Sequence, residues 1–481
     1  MNKKINTVHL SIGLIAFLYV LIRAIKLEIT YDEAWTIKSY VSQRVTDILR
    51  CTSCIPNNHI LNTLLIKLCF SFGFKSLFIG RLPNVLAFIF YLYFLHKITN
   101  NYLSKFLGFA SFLLLIINPF LLDFFSIARG YGLALGFQMA SLYYLISFTK
   151  KNDSTDGLFS LSMGSLAVLC NFSLLNYWFG ILLYLSLYSF VSRKIFNYKK
   201  LIAGSIMITI ALAFFIYQPL SDLVKNNEFT YGGTSGFITD TLVSLMRYSL
   251  YGSKSPALVI ASLAIFLSIL VGTILFHFFK TKRLSLANNP VLYVLIFCIL
   301  STILQHYLFG TLYVIDRAAL FFYSLFILSF SFSISDYFNY RFSKFVVAFL
   351  ALLFGINFLV HANLQKTALW YFDAHTTEIL DWINKKGAQA NKKLKLDFSW
   401  PFDTSIEYYY AGNKYPFIEI VKNPNNREDL NAQADYYIYL NQSLPKDWYD
   451  ASDQKIVLLK KDTSLIYLDE GILVFSNIRP R

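Results

Sequence analysis

The sequence predicts a multi-pass α-helical membrane protein with a small α/β domain at its C-terminal end. Two observations carry the first part of that prediction. Of 481 residues, 56% are hydrophobic and only 15% charged, more apolar surface than a soluble domain can hide. Apolar runs of 17 residues or more recur along the chain and match a bilayer core roughly 30 Å thick. The net charge of +15 is no nucleic-acid footprint, because the Lys and Arg are scattered at segment ends. No nucleic-acid partner is therefore expected. Five cysteines, Cys51, Cys54, Cys69, Cys170 and Cys298, do not make a disulfide framework.

The first apolar stretch, His9 to Ile25, follows Lys3 and Lys4 as a signal peptide would. No small-residue cleavage site follows it, and Arg23 and Lys26 lie where one would be expected. It reads as an uncleaved first span. The runs 9–27, 80–96, 106–122, 130–149, 157–173, 176–192, 201–219, 256–279, 290–309, 318–335 and 345–361 give eleven spans, with 157–192 split near Asn171. A further run, 60–73, carries Thr63, Lys67 and Ser71 at every fourth position. That spacing puts them on one helical face, so this helix is expected to lie on the membrane surface.

Charge parity supports that choice. With 60–73 at the surface, Lys3/Lys4, Lys97/Lys105, Lys150/Lys151, Arg193/Lys194/Lys199/Lys200, Lys280/Lys282/Arg283 and Arg341/Lys344 share one side. The positive-inside rule makes that side cytoplasmic. The membrane region, 1–361, then presents an outside loop, 28–79, and the tail, 362–481, faces outward too. The expected location is the inner (plasma) membrane, with this loop and the tail extracytoplasmic. The loop is unusually basic, with Lys26, Lys38, Arg44, Arg50, Lys67, Lys75 and Arg81. Part of it, 34–50, reads as an amphipathic helix with Ile37, Val41, Val45 and Ile48 on one face. Two surface helices touching membrane-lipid phosphates and a platform gathering an anionic lipid-linked substrate are compatible readings.

From about Ala362 the chain becomes polar and charge-balanced, and its roughly 120 residues suffice for a small domain. A helix is expected at 374–386 and strands at 392–398, 435–440, 455–460 and 464–468. With no Gly-rich phosphate loop and no metal-ligand spacing, the tail reads as an accessory domain.

The residues that carry chemistry gather on the outward face. T-Y-D-E-A-W-T-I-K sets Asp32 and Glu33 just beyond the first span; a solvated helix cap is the plain alternative. N-P-F-L-L-D-F-F-S-I-A-R-G-Y-G puts Asp123, Arg129 and Tyr131 at the outer surface, and Y-V-I-D-R-A-A-L puts Asp316 and Arg317 there. Ionisable groups at the edge of apolar helices are costly unless paired or functional. Capping and snorkelling remain the alternatives for each. His59 opens the surface helix, where Asn57 or Asn58 would be the capping residue. Cys51 and Cys54 form a C-x-x-C that can close a small loop in an oxidising compartment; zinc would need two further ligands.

Asp32-Glu33 after the first span, N-N-H-I-L-N opening a surface helix, R-L-P-N-V-L-A-F opening the second span and D-R-A-A-L-F-F-Y late in the chain resemble the GT-C glycosyltransferases. The likeness is nearest to bacterial relatives of the protein O-mannosyltransferases and lipid A aminoarabinose transferases, and covers roughly residues 1–340. One departure is that relatives often show H-P-P-L where this chain has Asn58-His59-Ile60-Leu61.

The resemblance implies transfer of a sugar from a polyprenyl-phosphate donor to a hydroxyl of a lipid, polysaccharide or protein, outside the cytoplasm and with inversion. Asp32 would be the general base, because an alcohol is a poor nucleophile, and Glu33 would help hold the loop and acceptor. Arg129 and Arg317 would meet the leaving phosphate, since Arg can engage two oxygens at once. Asp123 and Asp316 would orient those guanidiniums or contact sugar hydroxyls. Tyr131, His59, Asn58 and Lys67 complete the expected donor-binding set. No metal ligand or cofactor is assigned, and the chemistry is compatible with a divalent cation. A transporter or flippase is the rival reading, but it would place ionisable groups near the bilayer midplane and often show internal repeats. A scaffold presenting the tail would tolerate changes at Asp32.

Overall fold

The structure is a computed structural model that describes residues 7–51, 55–73, 75–192, 197–281, 286–335, 341–421, 434–440, 463–469 and 472–477. The chain divides into two compact units, one of residues 1–25 and 40–362, the other of 26–39 and 363–481. The grouping of 26–39 with the tail was not foreseen.

In chain order the helices are α1 (Thr7–Lys26), α2 (Tyr31–Thr36), α3 (Val45–Arg50), α4 (Ile60–Ser71), α5 (Leu77–Tyr102), α6 (Lys105–Ile116), α7 (Pro119–Ser126), α8 (Gly130–Lys151) and α9 (Ser154–Cys170). They continue with α10 (Leu175–Ser192), α11 (Tyr198–Lys225), α12 (Val243–Ser249), α13 (Pro256–Thr281), α14 (Pro290–Phe309), α15 (Phe321–Ser335) and α16 (Arg341–His361). Among the described residues nine helical stretches are long and apolar enough to cross a membrane, or ten if α6 and α7 form one bent span.

Eleven spans were expected, and two local causes account for the difference. The run 106–122 breaks with a 60° bend between α6 and α7. Pro119 disfavours helical backbone at Asn118; Asn118 sits at ψ 112° and caps α7, its Oδ1 accepting from Phe120 N and Leu121 N at 3.0 and 3.2 Å. The run 157–173 becomes α9, whose 17 residues extend only about 25 Å. The amphipathic helix expected over 34–50 is also broken: a π-turn occupies Ile37–Val41, and Arg44 is extended ahead of α3.

The two most enclosed spans form the centre of the membrane unit. In α15 and its leading turn 89% of the apolar window is buried, and in α8 83%, whereas α11, α13 and α16 each bury 17% and present the rest outward. Small polar residues let α15 pack closely. Ser331 accepts from Ser111 Oγ at 2.8 Å, Tyr323 OH donates to Leu114 O at 2.6 Å, and Asn289 Nδ2 donates to Ser329 O and Ser333 Oγ at 2.9 Å. Such bonds satisfy groups that would otherwise stand unpaired in hydrocarbon.

The second unit adds α17 (Thr376–Gln389) and α18 (Asp403–Tyr410) to a five-stranded sheet. Its strands are β1 (Leu394–Phe398), β2 (Ile418–Ile420), β3 (Tyr436–Leu440), β4 (Thr463–Asp469) and β5 (Ile472–Asn477), in the order β2-β1-β3-β5-β4. β1 runs parallel to β2 and β3, while β5 runs antiparallel to β3 and β4. α17 buries Ile379, Ile383 and Gly387 at every fourth position, the apolar stripe that a helix on a sheet needs. The strand expected at 455–460 lies outside the described residues.

Candidate active site

In the membrane unit a buried polar centre forms where the segment before α4, the start of α8 and the segment before α15 meet. The ring of His59, 4% exposed, lies 4.7 Å edge-on from Tyr131, and Arg317 Nε donates to Tyr131 OH at 3.1 Å. His59 Nδ1 stands 2.8 Å from Cys170 O. A carbonyl only accepts, so Nδ1 carries the proton and Nε2 keeps its lone pair. Burial, then the charge of Arg129, holds the imidazole well below its usual pKa; Arg317 adds to this and the bond to Cys170 opposes it. Arg129 grips Asn57 twice, Nη1 donating to the carbonyl at 3.2 Å and Nη2 to the side-chain oxygen.

Glycines allow this approach. A Cβ at Gly130 would sit 2.2 Å from Cys170 O and 2.6 Å from His59 Cβ, and one at Gly132 would sit 2.5 Å from Phe124 O. Both clashes involve backbone, so neither can be relieved by turning a side chain. The G-Y-G sequence is thus what brings Tyr131 against His59.

Asp316 adopts φ +49°, a left-handed conformation that Asp tolerates better than most residues. Its carboxylate accepts from Tyr231 OH at 2.6 Å and Ser244 Oγ at 2.8 Å. The Arg317 guanidinium lies 4.7 Å over the Tyr231 ring, a cation–π contact.

Other expected residues take different places. Asp123 is paired with Arg23 of α1, both nearly fully buried, and accepts from Tyr251 OH at 3.3 Å. Asp316 meets Tyr231 and Ser244, and the Tyr231 ring lies against the Arg317 guanidinium. Asn58 bonds Thr63 Oγ1 at 3.0 Å and Cys51 Sγ at 3.4 Å; the helix cap is His59, which makes no side-chain capping bond. Lys67 donates to Val41 O at 2.9 Å, and Thr63 is buried, so the polar face of α4 is partly turned inward. Cys51 is disulfide-bonded; Cys54 lies outside the described residues.

Tyr231 and Ser244 were not foreseen, since neither belongs to a charged motif. Arg81 and Asn84 lie within R-L-P-N at the start of α5. Arg81 Nη1 donates to Ala24 O at 3.1 Å; Asn84 Nδ2 donates to Asn62 Oδ1 at 2.9 Å and Asn84 Oδ1 accepts from Leu133 N at 3.0 Å. Asn62 in turn donates to Ala128 O at 3.2 Å, so these side chains tie α5 to the segment carrying Arg129.

Asp32 and Glu33 belong to the second unit. Thr30 and Glu33 form a reciprocal capping box: Glu33 N donates to Thr30 Oγ1 at 3.4 Å, and Glu33 Oε2 accepts from Thr30 N at 3.0 Å. The Glu33 carboxylate thus helps to shape the turn. Asp32 is 5% exposed and its carbonyl accepts from Thr36 Oγ1 at 2.9 Å.

Apolar grooves also line the membrane unit. One of about 750 Å³ lies between α10 and α11, walled by Leu185, Phe190, Leu201 and Ile206; a neighbour of about 630 Å³ is walled by Trp178 and Ile216. Among the described residues no group of three or more His, Cys, Asp or Glu is placed to hold a metal ion.

No family model matches the sequence, and no curated protein does. By structure, the chain is similar to ArnT from Cupriavidus metallidurans in the apo state, with a TM-score of 0.52 and 9% identity over 98% of this chain and 97% of that one. It is also similar to the same ArnT bound to undecaprenyl phosphate, with a TM-score of 0.47 and 10% identity over 98% of each chain. At such identity the apo match speaks for the fold alone. The chain is a multi-pass helical membrane protein with an ArnT-like fold. That fold runs from end to end and includes the small α/β unit.

Proposed function

We propose that this chain is a membrane glycosyltransferase that moves a sugar from a polyprenyl-phosphate donor to a hydroxyl acceptor on the extracytoplasmic face of the inner membrane. The observation that supports it best is the ArnT-like fold over the whole chain combined with the Arg129, His59, Tyr131 and Arg317 centre. In this reading the acceptor oxygen attacks the anomeric carbon and Asp32 takes the hydroxyl proton. The bond to phosphate breaks on the opposite side, so the carbon inverts and polyprenyl phosphate leaves with the electron pair. The leaving group needs positive charge more than a proton, which is what two planar guanidiniums supply. The Tyr231 ring and the Tyr131 hydroxyl hold Arg317 in orientation, and Asn57 holds Arg129. Apolar grooves such as that between α10 and α11 suit a prenyl chain. The test is mass spectrometry of glycoconjugates from cells with and without the protein. A sugar present only with the protein is expected; identical profiles would refute the transferase.

A further inference from the structure

We propose that the C-terminal unit is a working part of the transferase, with Asp373, Thr404 and Tyr409 as positioning residues for the turn that carries Asp32. This rests on the reading of Asp32 as base. It replaces the accessory role that composition alone suggested.

Residues 26–39 pack with the tail as one compact unit. The helix bearing the two carboxylates, α2, has six residues and runs into the five-residue π-turn Ile37–Val41, together still too short to hold a helical shape without outside support. Its first backbone donors need partners. Glu33 N finds one locally in Thr30, but Tyr31 N donates to Asp373 Oδ2 at 2.7 Å. The carbonyl of Tyr31 accepts from Thr404 Oγ1 at 3.1 Å, and Ile29 N donates to Tyr409 OH at 2.9 Å. Three tail side chains thus take hold of the backbone on the residues immediately before Asp32. A second layer fixes the clamps: Tyr409 OH and Thr377 Oγ1 both donate to Glu28, and Thr376 Oγ1 donates to Asp373 O at 3.1 Å.

The chemistry of Asp373 fits this task better than that of a surface residue. It is 1% exposed. Burial pushes its carboxyl well above the usual carboxylate range; hydrogen bonding from Ser405 and from the Tyr31 amide opposes this, and the charges of Glu33 and Asp32 add to it. A carboxyl beside two others is tolerated only for a structural return, and that return is the fixed Tyr31 amide. A general base misplaced by an ångström loses much of its effect, so loss of the clamp should appear in turnover.

The test compares full-length Asp373→Ala, Asp373→Asn and Tyr409→Phe with the wild type and Asp32→Asn. Turnover is read as polyprenyl phosphate released from donor extracted from host membranes, and affinity for the lipid phosphate by binding of undecaprenyl phosphate. Asp373→Ala and Tyr409→Phe should lower kcat about 10- to 100-fold with affinity unchanged, and Asp373→Asn, which can still accept from Tyr31 N, should recover most of the loss. Asp373→Ala added to Asp32→Asn should cost nothing further, because a positioning residue acts only through the base it positions. Backbone hydrogen exchange over residues 28–36 should quicken in the Ala and Phe variants, a readout that holds even for protein without turnover. Wild-type kcat in both variants, additive losses in the double variant, or unchanged exchange would each overturn the proposal. Asp32→Asn at the wild-type rate would instead refute the base assignment beneath it.

Discussion

At Asp32, exchanging one carboxylate oxygen for an amide separates chemistry from shape. Asn can keep the hydrogen bonds of a cap but takes no proton at neutral pH. Asp32→Asn should therefore fold, bind donor and turn over about 10²–10⁴-fold more slowly, measured on purified protein. Glu33→Gln should lose less turnover, because Glu33 closes the capping box with Thr30. For the phosphate, Arg129→Ala or Arg317→Ala should weaken donor binding by about 2–5 kcal/mol, with Lys restoring it only in part; titration with polyprenyl phosphate checks this. Gly130→Ala drives a methyl into Cys170 O and the His59 ring stem. Overpacking of this kind costs about 1–3 kcal/mol, visible as a lowered Tm together with weaker donor binding.

Between elements, the Arg23–Asp123 pair pins α1 to α7. Breaking a buried pair by removing one partner costs about 3–5 kcal/mol, whereas an apolar pair of similar volume can replace both. Asp123→Ala should lower thermal stability in detergent, and Arg23→Met with Asp123→Leu should recover most of it. Recovered stability with turnover still lost would return Asp123 to the sugar-contact role first expected of it. In the tail the stability consequence is a pH dependence. Asp373 has its carboxyl held above the ordinary 3.8 by burial, with Glu33 and Asp32 adding to the effect. Above pH 3.8 the folded state thus retains a proton that the unfolded chain has lost, and stability falls as pH rises until the folded group itself ionises. Denaturation followed between pH 4 and 8 should show this slope, and Asp373→Asn should flatten it.

For the molecule as a whole, charge parity predicts that the Asp32 loop and the tail share the outer side. Single cysteines at Ser39 and Asn413 in a cysteine-free background should both react with an impermeant thiol reagent in intact spheroplasts. Reaction of only one would break the parity scheme. The scheme also requires α9 to cross despite its 17 residues, so a cysteine beside Asn152, before α9, should be protected in the same cells.

The sequence by itself determined the class of fold and the positions of most helices, and it singled out the charged residues now proposed for the site. These properties are local: a membrane helix announces itself by composition over some twenty residues, and Arg129, Asp316 and Arg317 stand out because charge next to an apolar run is costly. The tertiary structure decided who holds whom. Asp123 met Arg23 from 100 residues away, His59 met the carbonyl of Cys170 from 111, and Tyr31 met Asp373 from 342. No periodicity encodes such pairings, because they depend on how helices are brought together, and a side chain's partner changes when a neighbouring backbone shifts by an ångström. Packing also decided that the carboxylate turn belongs with the tail, although it lies more than 300 residues before it in the chain and directly follows the first span.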